Sequence, residues 1–433
     1  VAGVAEPWMD PAHRRIVTLT GSTGPGVPFQ HGNLSAAQQV SLAPGTAQQQ
    51  KIVAYLRGGS TYSGVPIEGT SIGQFRKRFG AMGDISNAKP VIVFEPDRPY
   101  TDATDPGYEA YKDAKKDRPV RVVAPANDGM VHVFDAGPMP KAATSTTAAI
   151  PVSAGGGTEI FAFIPKALFK GVAGTVAEDA SGIQALTFQD GGVPIYRHHM
   201  YVDSSPRTAD VDFGSGDDWR TIVVGGLGKG GNSYYALDLT DANAADEVAA
   251  SAKVLWEWSN SEVKYSYGRP VIVKVRDSGG AVSCGDGATC RWVVIVTGGY
   301  DNVSGKGKVF FLDAKTGTLL STVTTSAGAA PASGQAAGLA QIHAFVKNQN
   351  NQIAEQIYGG DLLGNVWRID VSGVDTYKTA SAVLFAQLTD PDGVPQPVTV
   401  APQIEIDINN GVDRYVFIGT GRLLDVSDLT NPS

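Results

Sequence analysis

A strand–turn–strand pattern recurs along this sequence and limits its fold more than any other feature. Each copy has two apolar, β-rich runs joined by a turn that contains Gly, and the second run ends at an Asp. Because Asn-Gly and Asp-Gly turns supply the positive φ that a tight hairpin needs, each copy predicts a β-hairpin. The five copies span residues 118–138, 220–242, 291–317, 355–373 and, less regularly, 413–428.

Further short apolar runs lie between these hairpins. They cover residues 89–96, 158–165, 254–260, 268–275, 382–388 and 399–406. An inner strand, a hairpin and an outer strand, repeated at intervals of roughly 40 to 70 residues, are typical of propeller blades. The 52 Gly and 25 Pro of the 433 residues agree with many short strands and frequent turns. The uneven spacing indicates insertions in the blades, with residues 139–157 and 276–290 as two candidates.

The beginning of the chain differs from the rest. Apolar residues at helical offsets predict a short helix from Ala47 to Leu56, and the Gly pair that follows Arg57 ends it. We therefore predict an all-β fold, a distorted β-propeller over residues 86–433. The preceding residues 1–85 form an N-terminal segment that is partly helical and packs on the propeller or leads into it.

Four Asp residues close the regular hairpins, each after an aromatic or aliphatic residue. They are Asp135, Asp238, Asp313 and Asp370. A short carboxylate at this place accepts backbone N–H groups of the next turn. The sequence therefore predicts that these acids build turns, and it assigns none of them a catalytic role.

The charge of the chain excludes some partners. The formal net charge is −8 at pH 7 and the pI is about 5.3, which argues against a nucleic-acid partner, since phosphate contacts need a basic face. No apolar run reaches the roughly 18 residues of a membrane-spanning helix. Because Val1 is not an initiator Met, we expect the sequence to be a fragment from which a targeting segment is missing.

The two cysteines, Cys284 and Cys290, lie close together in "CGDGATC". A zinc site would need four nearby Cys or His ligands, and the six His lie elsewhere in the sequence. The spacing favours a small disulfide at a hairpin tip, which implies an oxidising compartment. The alternative is a pair of free thiols in a loop.

The amide-rich stretch "KNQNNQIAEQ" precedes the fourth hairpin and raises the question of a calcium loop. Such a loop of the short type needs acids at positions 1, 3, 5 and 9, Gly at 6 and a backbone carbonyl at 7. With Glu355 at position 9, positions 1, 3, 5, 6 and 7 fall on Lys347, Gln349, Asn351, Gln352 and Ile353. A Lys at the first position repels a cation, and only Glu355 carries negative charge. The sequence predicts a degenerate, metal-free loop between blades that is held by hydrogen bonds.

Other candidate sites are weaker. The Gly-rich residues 225–233 follow a strand, but no helix pattern comes after them, so a hairpin loop is favoured over a phosphate cradle. His198 and His199 are neighbours in an extended run, which predicts one buried and one exposed ring rather than a shared metal. Asp301 and Asn302 offer oxygen atoms and form a second candidate calcium loop.

Residues 311–320, "FLDAKTGTLL", raise an alternative function. An Asp-x-x-Thr-Gly ending is similar to the blades of propellers that bind pyrroloquinoline quinone, which would make the chain a quinoprotein-type oxidoreductase. Those blades usually carry a Trp a few residues later, where this chain has Leu320 and Ser321. The ending also serves as an ordinary blade exit, so the alternative rests on a weak motif.

Taken together, the segments resemble the C-terminal domain of the PilY/PilC family of type IV pilus tip-associated adhesins. The resemblance runs in order over most of the chain. Its segments include "FRKRFGAMGDISNAKPVIV" (75–93), "RPVRVVAPANDGMVHVFDA" (118–136), "WRTIVVGGLGKGGNSYYALDLTD" (219–241), "GKGKVFFLDAKTG" (305–317), "YGGDLLGNVWRIDV" (358–371) and "YVFIGTGRLLDVSDL" (415–429).

The resemblance implies a distorted propeller of about seven blades that caps a longer secreted protein. It implies a non-enzymatic role in pilus assembly, in the balance of extension and retraction, and in surface attachment and twitching motility. The implied partners are minor pilins or other pilus assembly proteins and a host or abiotic surface, at the bacterial cell surface or pilus tip after export through the periplasm. Some relatives hold calcium just before the "YGGDL" strand, but this chain departs from their acidic pattern, so no cofactor is predicted.

Overall fold

The computed structural model describes residues 13–59, 75, 80–139, 156–170, 182–187, 198–214, 216–330, 334–407, 411, 413–424 and 427–430. Strands dominate these residues and form five sheets, which confirms the all-β prediction. The expected number of about seven blades is not confirmed, because four of the described sheets have at least four strands and the fifth has two.

The first sheet contains six strands from two parts of the chain. They are β1 (Ile16–Thr18), β2 (Val27–Pro28), β3 (Val91–Val93), β4 (Arg121–Pro125), β5 (Val131–Asp135) and β6 (Glu159–Ile164). Their order in the sheet is β2-β1-β6-β5-β4-β3. Strand β1 runs parallel to β6, and all other neighbours are antiparallel. The N-terminal segment therefore continues the first sheet instead of standing apart from it.

The next three sheets are antiparallel meanders, the arrangement of a propeller blade. The second contains β7 (Arg207–Asp212), β8 (Trp219–Gly226), β9 (Ser233–Asp238) and β10 (Val254–Ser259). The third contains β11 (Val271–Arg276), β12 (Val282–Ser283), β13 (Thr289–Thr297), β14 (Lys308–Asp313) and β15 (Leu319–Thr324). The fourth contains β16 (Leu339–Val346), β17 (Ala354–Asp361), β18 (Asn365–Asp370) and β19 (Ala382–Gln387).

The last sheet corrects the prediction of a fifth hairpin at 413–428. It consists of β20 (Gln403–Ile406) and β21 (Arg414–Phe417), which pair with each other. Residues 418–424 form no strand. Tyr415 and Phe417 are more than half exposed, so a second strand here would bury little apolar surface.

Helices are few and short. They are α1 (Ala36–Leu42), α2 (Thr46–Leu56), α3 (Tyr108–Lys115), α4 (Glu247–Ser251), α5 (Thr376–Thr379) and α6 (Ser427–Thr430), with 3₁₀ turns at His31–Asn33, Lys166–Leu168 and Ile183–Thr187. Helix α2 confirms the predicted helix and begins one residue earlier. Helix α1 was not predicted, although Ser35 and Gln38 form a capping box at its start.

Apolar side chains fill the spaces between neighbouring sheets. Val294 of β13 belongs to the cluster shared with the second sheet, while Val293 and Ile295 belong to the cluster shared with the fourth. Successive strand residues face opposite sides, so a strand between two sheets must be apolar at every position. This explains the unbroken run "WVVIV" and places both faces of the third sheet in the core.

Candidate functional site

The amide loop, residues 347–353, connects β16 to β17 within the fourth sheet. The prediction that it lies between blades is therefore wrong, because "LAQIHAFV" before the loop is itself a strand of the same sheet. The alternation of polar Gln341 and His343 with apolar Ile342 and Ala344 is a sequence signal that could have identified β16. The loop is thus the tip of a hairpin at the inner side of a blade.

Hydrogen bonds among the loop's own amides hold its shape. The backbone N–H of Asn350 donates to Oδ1 of Asn348 at 3.0 Å, and that of Ile353 donates to Oδ1 of Asn351 at 3.2 Å. Nε2 of Gln352 donates to the carbonyl oxygen of Gln349 at 3.0 Å. Gln352 also has a φ of 53°, the left-handed conformation that a calcium loop reserves for Gly at this position.

Glu355, the one acid at a ligand position, is bound by an arginine from the last sheet. Nη2 of Arg414 lies 2.6 Å from Oε2 of Glu355, and Nη1 donates to Oε1 of Gln356 at 2.7 Å. The guanidinium also lies over the ring of Phe345, 4.0 Å from its centroid. The negative charge that a cation would need is therefore already balanced.

The donor set of the amide loop does not fit calcium. Its first ligand position holds the ammonium of Lys347, and two of its amide oxygens, on Asn351 and Gln349, accept hydrogen bonds from within the loop. Carboxylates from neighbouring elements do not compensate, since in the described ranges no group of three His, Cys, Asp or Glu is arranged to hold a metal ion. Hard cations of this type need several oxygen ligands and usually more than one carboxylate.

The amide loop is attached to the third sheet and to the turn before α3. The backbone N–H of Lys274 donates to the carbonyl oxygen of Gln352 at 2.8 Å, and Ile353 forms a parallel bridge with Lys274. Oγ1 of Thr104 donates to the carbonyl oxygen of Asn350 at 3.2 Å. These contacts join three separate parts of the chain at one point.

A buried ion pair lies beneath this point. Nζ of Lys274 donates to Oδ1 of Asp105 at 2.7 Å and to the carbonyl oxygen of Ser283 at 3.1 Å, and both charged side chains are almost fully buried. Burial lowers the pKa of Lys274 and raises the pKa of Asp105, and each partner's charge opposes the effect on the other. No local sequence pattern signals this pair, because 169 residues separate its members.

The two cysteines lie next to the same ion pair. Cys284 and Cys290 are joined by a disulfide, with Cα atoms 5.3 Å apart, in a hairpin formed by β12 and the start of β13. Both are buried among residues of the second and third sheets. The hairpin lies in the predicted insertion 276–290, whereas most of the other predicted insertion, 139–157, falls outside the described residues.

The closing acids build turns, as predicted. Asp135, Asp238, Asp313 and Asp370 each accept the backbone N–H two residues later, at 2.9–3.0 Å. Three of them also pair with an Arg on the first strand of the same hairpin, namely Arg121, Arg220 and Arg291. Arg414 occupies the corresponding place in the fifth repeat. The repeat therefore indicates that Arg414 pairs with an acid, but it does not identify Glu355 as the partner.

The remaining candidates are placed separately. His198 is exposed and pairs with Asp84 at 2.9 Å, while His199 is buried. Asn302 is buried, and its Nδ2 donates to the carbonyl oxygen of Lys306 at 2.7 Å, while Asp301 is exposed. Among the described helices, none has the length and apolar character needed to cross a membrane.

Comparison with known proteins identifies relatives over nearly the whole chain. PilY1 from Pseudomonas aeruginosa strain PAK, a type IV pilus biogenesis factor, is 28% identical over 451 residues that cover 96% of this chain and 33% of the relative. A PilY1 homolog from Xylella fastidiosa is 29% identical over 401 residues, 91% of this chain and 27% of the relative. The chain thus spans about a quarter to a third of the length of these curated relatives.

The fold agrees with a solved relative. The crystal structure of the Pseudomonas aeruginosa PilY1 C-terminal domain matches with a TM-score of 0.54 and 25% identity, over 78% of this chain and 60% of that chain. The family described as the PilY1 beta-propeller domain matches residues 82–430. These matches confirm both the predicted family and the propeller-like fold: the chain belongs to the PilY1 beta-propeller domain family.

Proposed function

We propose that this domain works in type IV pilus biogenesis as a non-enzymatic assembly and tip-adhesion unit. The observation that carries the proposal is the family match over residues 82–430, supported by relatives named as type IV pilus biogenesis factors. We further propose that the domain supports the balance of pilus extension and retraction, surface attachment and twitching motility. Its partners would be minor pilins or other pilus assembly proteins and a host or abiotic surface, and its location the cell surface or pilus tip.

The chemistry of the described residues supports a binding role more than a catalytic one. Two internal ion pairs lie beside the amide loop, Glu355 with Arg414 and Asp105 with Lys274. Groups held in this way stiffen the contacts between sheets. A stiff propeller presents surface loops at defined positions, which suits an assembly or adhesion unit. No observation in the described part of the chain favours the quinoprotein alternative, and we do not propose it.

We also propose that the amide loop holds its conformation without calcium in this protein. Where the resemblance implies a calcium ion just before this strand, this chain has Lys347 and a run of amides. The loop is instead attached to Lys274 and Thr104, and Glu355 just after it pairs with Arg414, so these contacts hold the loop without an ion. We therefore expect that external calcium does not control pilus production through this loop.

Deletion of residues 82–430 from the full-length protein in its host tests the proposal. We expect fewer pili in sheared surface fractions and smaller twitching zones than in the parent strain, with both restored by the intact protein. A second strain carries Lys274→Met, which leaves the domain in place but removes its buried ion pair, and should reduce piliation in proportion to the loss of folded domain. Normal surface pili and normal twitching in the deletion strain, with the truncated protein present, would contradict the proposal.

A further inference from the structure

A cavity of about 270 Å³ lies between the inner strands of three sheets. Strands β7, β11 and β16 supply most of its wall, and Gln349 and Gln352 of the amide loop supply another part. Arg98 and Arg207 line it, and the described residues of its wall include no Asp or Glu. In a chain with a formal net charge of −8, the part of this wall that the structure describes carries two guanidinium groups and no carboxylate, although the charges of Asp97, Asp105 and Asp210 act on Tyr100 in it.

A third arginine adds to the charge of this wall. Arg269 immediately precedes Pro270, which lines the cavity, and its charge acts on Arg207. Partial desolvation and the like charges of Arg269 and Arg98 lower the pKa of Arg207. Arg207 therefore lies within electrostatic range of both Arg98 and Arg269, although the three charges repel.

The arginines have few partners within the protein. No described carboxylate forms an ion pair with Arg207 or Arg269. Arg98 makes one side-chain hydrogen bond, from Nη2 to the carbonyl oxygen of Thr208 at 3.2 Å. Nε of Arg269 is buried and has no hydrogen-bond acceptor among the described residues. A buried donor without an acceptor costs about 1–3 kcal/mol, so an acceptor supplied by a bound ion would be favourable here.

These arginines differ from the hairpin arginines of the first three sheets. Arg121, Arg220 and Arg291 each bind the Asp that closes their own hairpin. Arg207 is the first residue of β7 and Arg269 lies two residues before β11, so both stand where the chain enters an inner strand. Propeller inner strands surround the central channel, so the starts of both strands lie near it.

We propose that this arginine cluster, Arg98, Arg207 and Arg269, binds a small oxyanion that carries at least two negative charges. A phosphate group or a small di- or tricarboxylate has this chemistry. The planar guanidinium fork matches the oxygen atoms of both, and several forks together can surround one such ion. The cavity is too small for a large cofactor but has room for an ion of this size. This inference is independent of the proposed pilus role and stands if that role fails.

The 433-residue chain is titrated calorimetrically with inorganic phosphate and, separately, with citrate, in phosphate-free buffer. The unfolding temperature is measured in the presence of each anion. Chloride at matched ionic strength shows the effect of screening alone. We expect saturable binding and a rise in unfolding temperature with at least one of the two anions beyond the chloride effect. The anion that binds more tightly identifies the ligand class.

Variants separate a binding role from a structural one. Arg207→Gln together with Arg269→Gln should weaken binding by at least about ten-fold, while stability in anion-free buffer stays equal or rises because like charges are removed. Arg207→Lys keeps the charge but loses the fork, so an intermediate affinity is expected. Arg220→Gln, whose guanidinium binds Asp218 and Asp238, is the matched control and should bind as the parent does.

Two outcomes overturn the proposal. One is the absence of any response to phosphate or citrate beyond that to chloride. The other is undiminished binding in the double variant, since the anion would then be held elsewhere.

Discussion

Arg414 forms an ion pair with Glu355, with 2.6 Å between Nη2 and Oε2. The pair joins the last sheet to the strand that follows the amide loop, and it uses the one acid that the loop could offer to a metal ion. Glu355 therefore serves a contact between sheets rather than a cation. Both side chains are partly exposed, so the pair adds little stability by itself, and its main effect is on the chemistry of the loop.

Calcium should not stabilise the protein through this loop. Neither addition of millimolar Ca²⁺ nor treatment with a chelator is expected to shift the unfolding temperature, because Lys347 and the amides provide no carboxylate cage. Differential scanning fluorimetry and metal analysis of the purified chain check this. One equivalent of bound calcium, lost together with stability on chelation, would contradict the interpretation of the loop.

A variant with the acids restored tests the same reasoning in the opposite direction. It combines Lys347→Asp, Gln349→Asp, Asn351→Asp and Gln352→Gly with the existing Glu355. Calcium at a hundred times its dissociation constant should then stabilise the fold by about 2.7 kcal/mol. Without calcium the variant should be less stable than the parent, because the introduced carboxylates repel one another. The same four positions changed to Ala provide the control without charge.

Replacement of Gln352 by Gly alone should raise the free energy of unfolding by about 0.5–1 kcal/mol. Its φ of 53° costs a side-chain-bearing residue about 1–2 kcal/mol, and the greater freedom of Gly in the unfolded chain offsets part of this gain. Gln352→Val, with a branched Cβ, should instead destabilise the protein. Urea unfolding of the three proteins measures the differences. A loss of stability in the Gly variant would show that the side-chain hydrogen bonds of Gln352 outweigh the backbone strain.

Lys274→Met should destabilise the protein by about 3–5 kcal/mol, because it leaves the buried carboxylate of Asp105 without a partner. The double variant Lys274→Met/Asp105→Leu should recover much of this loss, since no unpaired charge remains. Chemical denaturation of the single and double variants completes the cycle. Lys116→Met removes one member of an exposed pair with Asp113 and should cost less than about 1 kcal/mol. Equal losses in the single and double variants would argue against this account.

Stability should depend on pH through a buried network in the first sheet. Glu159 binds Arg14 at 2.6 Å and His132 at 2.6 Å, and His132 also binds Asp128 at 3.0 Å. Burial lowers the pKa of His132, but the charges and hydrogen bonds of Asp128 and Glu159 outweigh it and raise the pKa to about 9. Burial raises the pKa of Glu159, but hydrogen bonds from Arg14 and His132 outweigh that effect and lower it to about 2.

The two shifts act at opposite ends of the pH range. The contribution of His132 is complete below its ordinary pKa of 6.5 and is lost as the pH rises towards 9, a decline on the order of 3 kcal/mol. The contribution of Glu159 is complete above 4.5 and is lost as the pH falls towards 2. Urea unfolding across pH measures both limbs. His132→Gln should remove the alkaline decline, whereas His31→Gln, which removes a ring bonded to Gln49, should leave it unchanged.

Loss of the disulfide should lower the free energy of unfolding by about 2 kcal/mol, because the bond closes a short loop and so reduces the entropy of the unfolded chain. The variant with Cys284→Ala and Cys290→Ala keeps the site apolar, and its unfolding is compared with that of the parent with and without a reductant. The reductant should destabilise the parent by a similar amount and have no effect on the variant. A reductant effect of equal size in both proteins would assign the loss to something other than this bond.

The sequence alone predicted most strands of the described sheets. Turn residues and alternating or continuous apolar runs are local signals, and they identified the hairpins that became β4–β5, β8–β9, β13–β14 and β17–β18. The same signals predicted the turn role of the closing acids. They failed at 413–428, where the local pattern resembles a hairpin but residues 418–424 form no strand. They also missed β16, whose apolar positions were interrupted by Gln341 and His343.

The sequence by itself determined most of the strands and hairpins, the family, and the lack of acidic residues at all but one ligand position of the amide loop. Only the tertiary structure decided which distant groups meet: Arg414 with Glu355, Lys274 with Asp105, Arg14 with Glu159, and the arginine cluster around the central cavity. The physical reason is range. Turn and strand preferences act over a few residues, whereas these pairs lie 59 to 169 residues apart and are brought together by the stacking of whole sheets on shared apolar cores.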